Sequence, residues 1–126
     1  MRRPRILVID DSATVLHLVA AALSGQYDVE TAANGLEGLA MARRSLPDLI
    51  VTDSMMPGID GFALLRSLKA DPATSGIPGI VLTSDETSNQ TAGLGDVQPA
   101  AIVTKSMDMA PLLSAIRSAL ADRIHL

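Results

Sequence analysis

The sequence predicts an α/β fold in which five parallel strands form a central sheet with helices on both faces. Five short apolar runs alternate with segments whose apolar residues recur at helical spacing, and the connections between them are short. Strands and helices repeated in this order with short connections require parallel strands joined by right-handed crossovers. The chain is therefore expected to fold as a (βα)5 doubly wound, three-layer sandwich.

The first strand and helix are marked by a change from a continuous apolar run to helical spacing. Residues 6–9 are a β-prone apolar run that ends at Asp10 and Asp11, as expected for a strand covered on both faces of a sheet. Ser12 then offers an N-cap for a helix over residues 14–23, and Gly25 ends that helix. Residues 27–32 alternate well enough to form the second strand.

The second helix follows a turn signal at Asn34 and Gly35. Its inward face is expected to consist of four apolar residues: Leu36, Leu39, Ala40 and Ala42. Pro47 breaks this helix, and residues 49–51 form a third strand that delivers Asp53 to its end.

The second half of the chain repeats the same alternation. A third helix runs over residues 60–70, and a fourth strand over residues 80–82. Residues 85–94 form a weak fourth helix that is poor in apolar residues, and residues 101–103 form the fifth strand. A final amphipathic helix spans residues 108–121.

The composition excludes several classes of function. The chain has 126 residues without a linker or internal repeat, so residues 1–126 are expected to form a single domain. A formal net charge of −4 does not provide the positive charge that attracts the phosphate backbone of nucleic acids, so direct nucleic-acid binding is not expected. The absence of cysteine excludes disulfides and thiolate metal ligands. No apolar run is long enough to span a membrane, and a cytoplasmic protein without membrane contact is expected.

Charged residues follow three of the strands: Asp10 and Asp11 the first, Asp53 the third and Lys105 the fifth. In the flavodoxin-like sheet order 2-1-3-4-5, strands one and three are neighbours, so the three acids converge at the carboxyl edge, where such folds bind ligands. Two carboxylates about 4 Å apart cost on the order of 4 kcal/mol at an effective dielectric of 20, unless one is protonated or a cation joins them. Oxygen ligands without histidine or cysteine favour a hard ion, and Mg²⁺ is expected.

The charge balance of this predicted site favours a phosphoryl group. Three carboxylates, one divalent ion and Lys105 sum to about zero, and a phosphoryl group adds roughly −1.5 to −2, which the metal and the lysine are placed to neutralise. Asp53 is the candidate nucleophile, because a carboxylate can form an aspartyl phosphate by in-line displacement. Thr83, at the end of the fourth strand, is placed to hydrogen-bond a phosphoryl oxygen.

Four motifs stand at spacings that together are far more specific than any one of them. They are Ile9-Asp10-Asp11, the run Asp53-Ser54-Met55-Met56-Pro57-Gly58-Ile59-Asp60-Gly61, the pair Thr83-Ser84, and Lys105. This set resembles the receiver domain of the response regulators of two-component signalling systems, the CheY-like domains. The resemblance covers essentially the whole chain.

The resemblance implies that Asp53 is phosphorylated from a phosphohistidine on a sensor histidine kinase or a phosphotransfer protein. It also implies a metal site around the same residue. In that site Asp11 would ligate Mg²⁺ directly and Asp10 would orient the ion or its waters. The backbone carbonyl of Met55 would complete the protein ligands beside Asp53.

The resemblance further implies a switch. Lys105 would hold a phosphoryl oxygen, and Thr83 would move toward the phosphate. The domain would catalyse its own phosphorylation and, by slow hydrolysis of the acyl phosphate, its own reset, without being a conventional enzyme. By analogy, its output would pass to a downstream effector or output domain, or to a homodimer, through the fourth helix, fifth strand and fifth helix.

Two residues depart from the pattern of that family. Ile102 stands three positions before the lysine, where receivers usually carry tyrosine or phenylalanine, so the usual aromatic switch is absent. Ser106 follows the lysine where a proline in a cis peptide is usual, and a trans bond is expected because a non-proline cis bond costs about 2.5–4 kcal/mol. Both residues motivate an alternative, a degenerate receiver that keeps the site but acts as a constitutive protein-interaction module.

Two other interpretations of the acids, one structural and one enzymatic, stay open at this point. Asp10 and Asp11 could cap the first helix, a frequent role for acids at such junctions. A hydrolase with an aspartate nucleophile, of the haloacid dehalogenase type, would want a second acid two residues after Asp53, where Met55 stands. Met56 is expected to fill the core, with Met55 nearer the site.

Overall fold

The computed structural model describes residues 3–83, 99–106 and 108–124. The predicted fourth helix, residues 85–94, lies outside the described residues. The strands of the described part are β1 (Arg5–Ile9), β2 (Asp28–Ala32), β3 (Leu49–Asp53), β4 (Gly79–Thr83) and β5 (Ala101–Thr104). Its helices are α1 (Ala13–Leu23), α2 (Gly35–Ser45), α3 (Gly61–Ala70) and α4 (Ala110–Ile124).

The five strands form one parallel sheet in the order β2-β1-β3-β4-β5, which confirms the predicted topology. In the central pair Ile9 of β1 lies opposite Thr52 of β3. The residues that follow β1 and end β3 are therefore neighbours at the carboxyl edge of the sheet, where this fold places its ligands.

Alternate residues of the central strands fill two apolar layers. One layer lies between the sheet and the pair α1 and α4, and the other between the sheet and the pair α2 and α3. Every residue of β3 and β4 is buried, as expected for strands covered on both faces. The first layer includes Ile6, Val8, Val51, Ile80, Val19, Leu23, Leu112 and Ile116. The second includes Leu7, Ile9, Ile50, Val81, Ala42, Leu64, Leu65 and Leu68.

The predicted inward face of α2 is partly wrong. Leu36 is 67% exposed and Ala40 is also exposed, whereas Leu39 packs against the core as expected. The helix approaches the sheet through glycine instead, because a Cβ added at Gly38 would stand only 2.7 Å from Cγ1 of Ile9. Because of this close approach, the buried face of α2 is shifted by about one residue from the predicted face. The buried residues of α2 are Gly35, Gly38 and Ala42.

Each of the first three helices begins with a side-chain cap at the carboxyl edge of the sheet. The Ser12 hydroxyl accepts a hydrogen bond from the N–H of Val15 at α1, as predicted. Asn34 and Asp60 cap α2 and α3 in the same way. The acids Asp10 and Asp11 are therefore not the caps of α1.

Leu46, at the C-cap of α2, has a left-handed backbone, with φ of 49° and ψ of 65°, and is 50% exposed. This conformation costs residues with a Cβ roughly 1–2 kcal/mol. We expect Leu46→Gly to raise the free energy of unfolding by about 0.5–1 kcal/mol, since glycine's larger entropy in the unfolded chain offsets part of the relief. Urea denaturation measures the change. Leu46→Ala keeps the Cβ and should show no gain; an equal gain there would assign the effect to the lost apolar side chain.

Candidate functional site

The three predicted acids converge at the carboxyl edge of the sheet. Asp10 directly follows β1, Asp11 comes next, and Asp53 ends β3. Each offers a carboxylate oxygen, and these oxygens all lie within 4.8 Å of one another. Asp10 is 0% exposed and Asp53 is 5% exposed, whereas Asp11 is exposed. Two of the three charges are thus withdrawn from water.

Lys105 reaches across β4 to join this cluster. Its Nζ lies 3.0 Å from Oδ2 of Asp10 and 3.1 Å from Oδ1 of Asp53. Its backbone N–H donates to the carbonyl of Thr83 at 2.7 Å, which ties the end of β5 to the end of β4. The sequence predicted Lys105 at this edge, but its simultaneous contact with two acids emerges only from the fold.

The two carboxylate oxygens of Asp10 differ in their partners. Its Oδ1 accepts a hydrogen bond from the N–H of Ser12 at 2.9 Å. Among the described residues, its buried Oδ2 has no hydrogen-bond partner, and only the Lys105 ammonium offsets its charge. Without the lysine or another cation in its place, a buried anionic oxygen of this kind would be costly.

The electrostatics of the site reflect one ammonium shared between two buried carboxylates. Burial, together with the neighbouring Asp10 charge, raises the pKa of Asp53 and outweighs its hydrogen bonds with Lys105 and the Met55 N–H. For Lys105, burial opposes the charged form, but its close contacts with the carboxylates of Asp10 and Asp53 outweigh it and raise the pKa of the ammonium. The lysine therefore stays charged. Its single positive charge is less than the negative charge that the three carboxylates can carry together.

The loop between β3 and α3 closes tightly around Asp53. Met55 is 76% exposed, but its backbone N–H donates to Oδ1 of Asp53 at 3.3 Å, so its backbone lies at the site. The N–H of Gly61 donates to the carbonyl of Ser54 at 3.0 Å. A Cβ added at Gly61 would overlap the Asp53 carbonyl, so only glycine lets α3 begin this close to β3. Met56 is buried, as predicted.

The remaining predicted residues lie along β4 and β5. Thr83 is buried at the end of β4, one residue beyond Leu82, which pairs with Asp53. Ile102 is 39% exposed on β5. The peptide bond after Lys105 is trans, as expected, and the Ser106 hydroxyl accepts from the Asp108 N–H at 3.0 Å.

The sequence interpretation did not assign a role to Gly61. The available signal was its place directly after the Asp60 cap, a helical position where glycine is intrinsically unfavourable. A glycine at such a position indicates that another part of the backbone approaches closely. Here that backbone belongs to the nucleophile candidate, Asp53.

The donor set fits a hard divalent cation. Three carboxylates lie close enough to share one ion, and they include a buried oxygen without a hydrogen bond. Oxygen ligands of this kind suit Mg²⁺, which keeps several waters and needs few protein ligands. Chemically, the site combines a carboxylate at a strand tip, an ammonium and a place for a metal, the elements that phosphoryl transfer requires.

Comparison with known proteins decides the family. A family model described as the response regulator receiver domain matches residues 6–117. The chain belongs to this family. The receiver domain is 42% identical over 116 residues to the response regulator PleD of Caulobacter vibrioides, in a match that covers 90% of this chain and 25% of PleD. This chain thus spans about a quarter of the length of PleD.

Other relatives have nearly the length of this receiver domain. Protein PilH of Pseudomonas aeruginosa is 38% identical over 123 residues, covering 93% of this chain and 98% of PilH. The solved structure of the chemotaxis response regulator CheY4 of Vibrio cholerae matches with a TM-score of 0.84 at 26% identity, covering 93% of this chain and 98% of that chain. The family places the receiver domain in two-component signalling. None of its described helices is both long and apolar enough for a membrane crossing.

Proposed function

We propose that this receiver domain accepts a phosphoryl group on Asp53 from the phosphohistidine of a sensor histidine kinase or a phosphotransfer protein, with Mg²⁺ as cofactor. The Lys105 ammonium, 3.0 Å from Asp10 and 3.1 Å from Asp53, is the observation that supports this function most directly. On this proposal, the contact brings a phosphoryl-binding cation to the proposed acceptor carboxylate. Membership of the receiver family supports the same reaction, and the proposal treats residues 1–126 as one receiver domain.

In the proposed reaction, Asp53 is the nucleophile. One of its carboxylate oxygens forms a bond to phosphorus while the P–N bond of the phosphohistidine breaks and the imidazole leaves with the electron pair. Lys105 already contacts Oδ1 of Asp53, so it can pass to a phosphoryl oxygen by a small displacement. Thr83, at the end of the adjacent strand, would offer its hydroxyl to another phosphoryl oxygen.

The metal ligands follow from the acid cluster. Asp10, Asp11 and Asp53 would hold Mg²⁺ with the backbone carbonyl of Met55, and the bound ion supplies charge neutralisation for the phosphoryl oxygens. The Met55 N–H contact to Asp53 supports a place for this residue's backbone at the site. Water attack on the acyl phosphate would return the domain slowly to its resting state.

The proposal extends to partners. Phosphorylation would change contacts with a downstream effector or output domain, or promote a homodimer, in the cytoplasm. The expected face includes β5 and α4, and the exposed apolar side chain of Ile102 on β5 supports it. The predicted fourth helix, which the resemblance adds to this face, lies outside the described residues. We propose no direct contact with nucleic acid or membrane. The alternative of a degenerate receiver, motivated by Ile102 and Ser106, receives no support from the comparisons.

Intact-mass spectrometry after treatment with acetyl phosphate tests the proposal. We expect the mass of one added phosphoryl group in the presence of Mg²⁺ and nearly none with EDTA, because the three acids repel an anionic donor until a cation joins them. The control omits acetyl phosphate. An unlabelled protein at saturating Mg²⁺ and donor would contradict the acceptor function, and equal labelling in EDTA would contradict the metal requirement.

A further inference from the structure

The loop of residues 54–60, which joins β3 to α3, is pressed against the first turn of α2. A Cβ added at Gly35 would overlap Cγ2 of Ile59 and stand 2.9 Å from the Ile59 carbonyl oxygen. Gly35 is buried, and Ile59 packs on the same apolar layer as Met56. The helix therefore touches the backbone of this loop as well as a side chain, and no other residue type fits without moving it.

The same loop carries the backbone of the site. Met55, four residues before Ile59, donates its N–H to Asp53, and the N–H of Gly61 closes the loop onto the Ser54 carbonyl. Both ends are thus fixed at the tip of β3. Because both ends are fixed, a push at Ile59 is expected to shift the backbone between them, which includes Met55.

We infer that Gly35 is a positioning residue for the metal site, acting through Ile59 and the loop of residues 54–60. This inference rests on the proposed function, because it assumes that the acids and the Met55 carbonyl hold Mg²⁺. The contact is reciprocal, since a loop that tightens on a bound ion presses on the first turn of α2.

A second glycine of α2 provides a matched control. Gly38 is also buried, and a Cβ there would also meet an isoleucine, at 2.7 Å from Cγ1 of Ile9. The atoms it would meet are side-chain atoms of Ile9, in β1, and none belongs to the loop of the site. Gly35→Ala and Gly38→Ala therefore crowd the same helix against the core, but only the first reaches the loop backbone.

Isothermal titration with Mg²⁺ and amide NMR spectra of four variants test the inference: Gly35→Ala, Gly38→Ala, Ile59→Ala, and the double variant Gly35→Ala with Ile59→Ala. We expect Gly35→Ala to weaken Mg²⁺ binding about tenfold, the size typical for groups that support metal ligands. Gly38→Ala should lower the melting temperature comparably, yet keep the affinity within about twofold. The double variant should regain only part of the affinity, because removing Cγ2 relieves the side-chain overlap but leaves the Ile59 carbonyl oxygen 2.9 Å from the new Cβ.

Metal-free spectra decide the inference independently of the proposed function. In EDTA, Gly35→Ala should shift the Met55 amide resonance, and Gly38→Ala should leave it in place. If the unaltered chain binds no Mg²⁺, the metal site fails, and the Met55 amide alone then decides the positioning role. An unmoved Met55 amide, or equal losses of affinity in the two glycine variants, would overturn it.

Discussion

Asp53→Asn is expected to abolish labelling by acetyl phosphate, a loss of about two orders of magnitude or more, because an amide lacks the anionic oxygen that attacks phosphorus. The substitution keeps the shape of a residue that is 5% exposed and lies within the acid cluster. It also removes a buried carboxylate whose ionised form is disfavoured by burial, so the fold should tolerate it. Intact mass after treatment with Mg²⁺ and donor measures the outcome.

Asp60→Asn is the matched control for this variant. Asp60 is an exposed acid in the loop that joins β3 to α3, and it caps α3 by accepting a hydrogen bond from the Ala63 N–H. Asparagine caps helices about as well as aspartate, so this variant should fold and accept the phosphoryl group normally. Labelling of Asp53→Asn at the rate of the unaltered protein would remove Asp53 from the role of nucleophile.

Lys105→Ala is expected to have the largest effect on stability. The ammonium offsets the charge on Oδ2 of Asp10, which is otherwise without a partner among the described residues, and it also contacts Asp53. Its removal leaves two buried carboxylates beside each other, a change that typically costs about 3 kcal/mol. At roughly 4 °C per kcal/mol for a domain of this size, the melting temperature in EDTA should fall by about 12 °C.

Saturating Mg²⁺ should restore much of that loss, because the ion replaces the missing positive charge between the acids. The variant should therefore bind metal, yet show a weaker conformational response to beryllofluoride, since its contact to a phosphoryl oxygen is gone. Lys69→Ala removes an exposed lysine from the last turn of α3 and should leave both melting temperatures within about 2 °C. Equal losses with and without Mg²⁺ would show that the destabilisation comes from packing and not from the acid pair.

Strand-end residues explain why so much of the site could be predicted. Asp10 directly follows an unbroken apolar run and Asp53 lies two residues after another, and parallel strands bring such ends to one edge whatever the details of the helices. The order β2-β1-β3-β4-β5 follows from the repeated alternation of strand and helix together with the resemblance to receivers. These features depend on pattern and chain direction, which a sequence displays directly.

Contacts that depend on distances between elements could not be predicted in this way. Leu36 has the hydrophobicity of a core residue, but Gly38 lets α2 approach Ile9 so closely that the buried face turns away from it. Sequence periodicity assumes that the bulky residues decide which face is buried, and here the smallest residues decide. The double contact of Lys105 was missed for a related reason, since the reach of a long side chain over a strand depends on the packed geometry.

The ammonium between Asp10 and Asp53 keeps the pocket assembled before any ligand arrives. On the proposed function, the acids do not have to be gathered when Mg²⁺ binds, because one cation already lies between two of them. On the proposed function, the response would therefore not wait for a slow rearrangement of the chain.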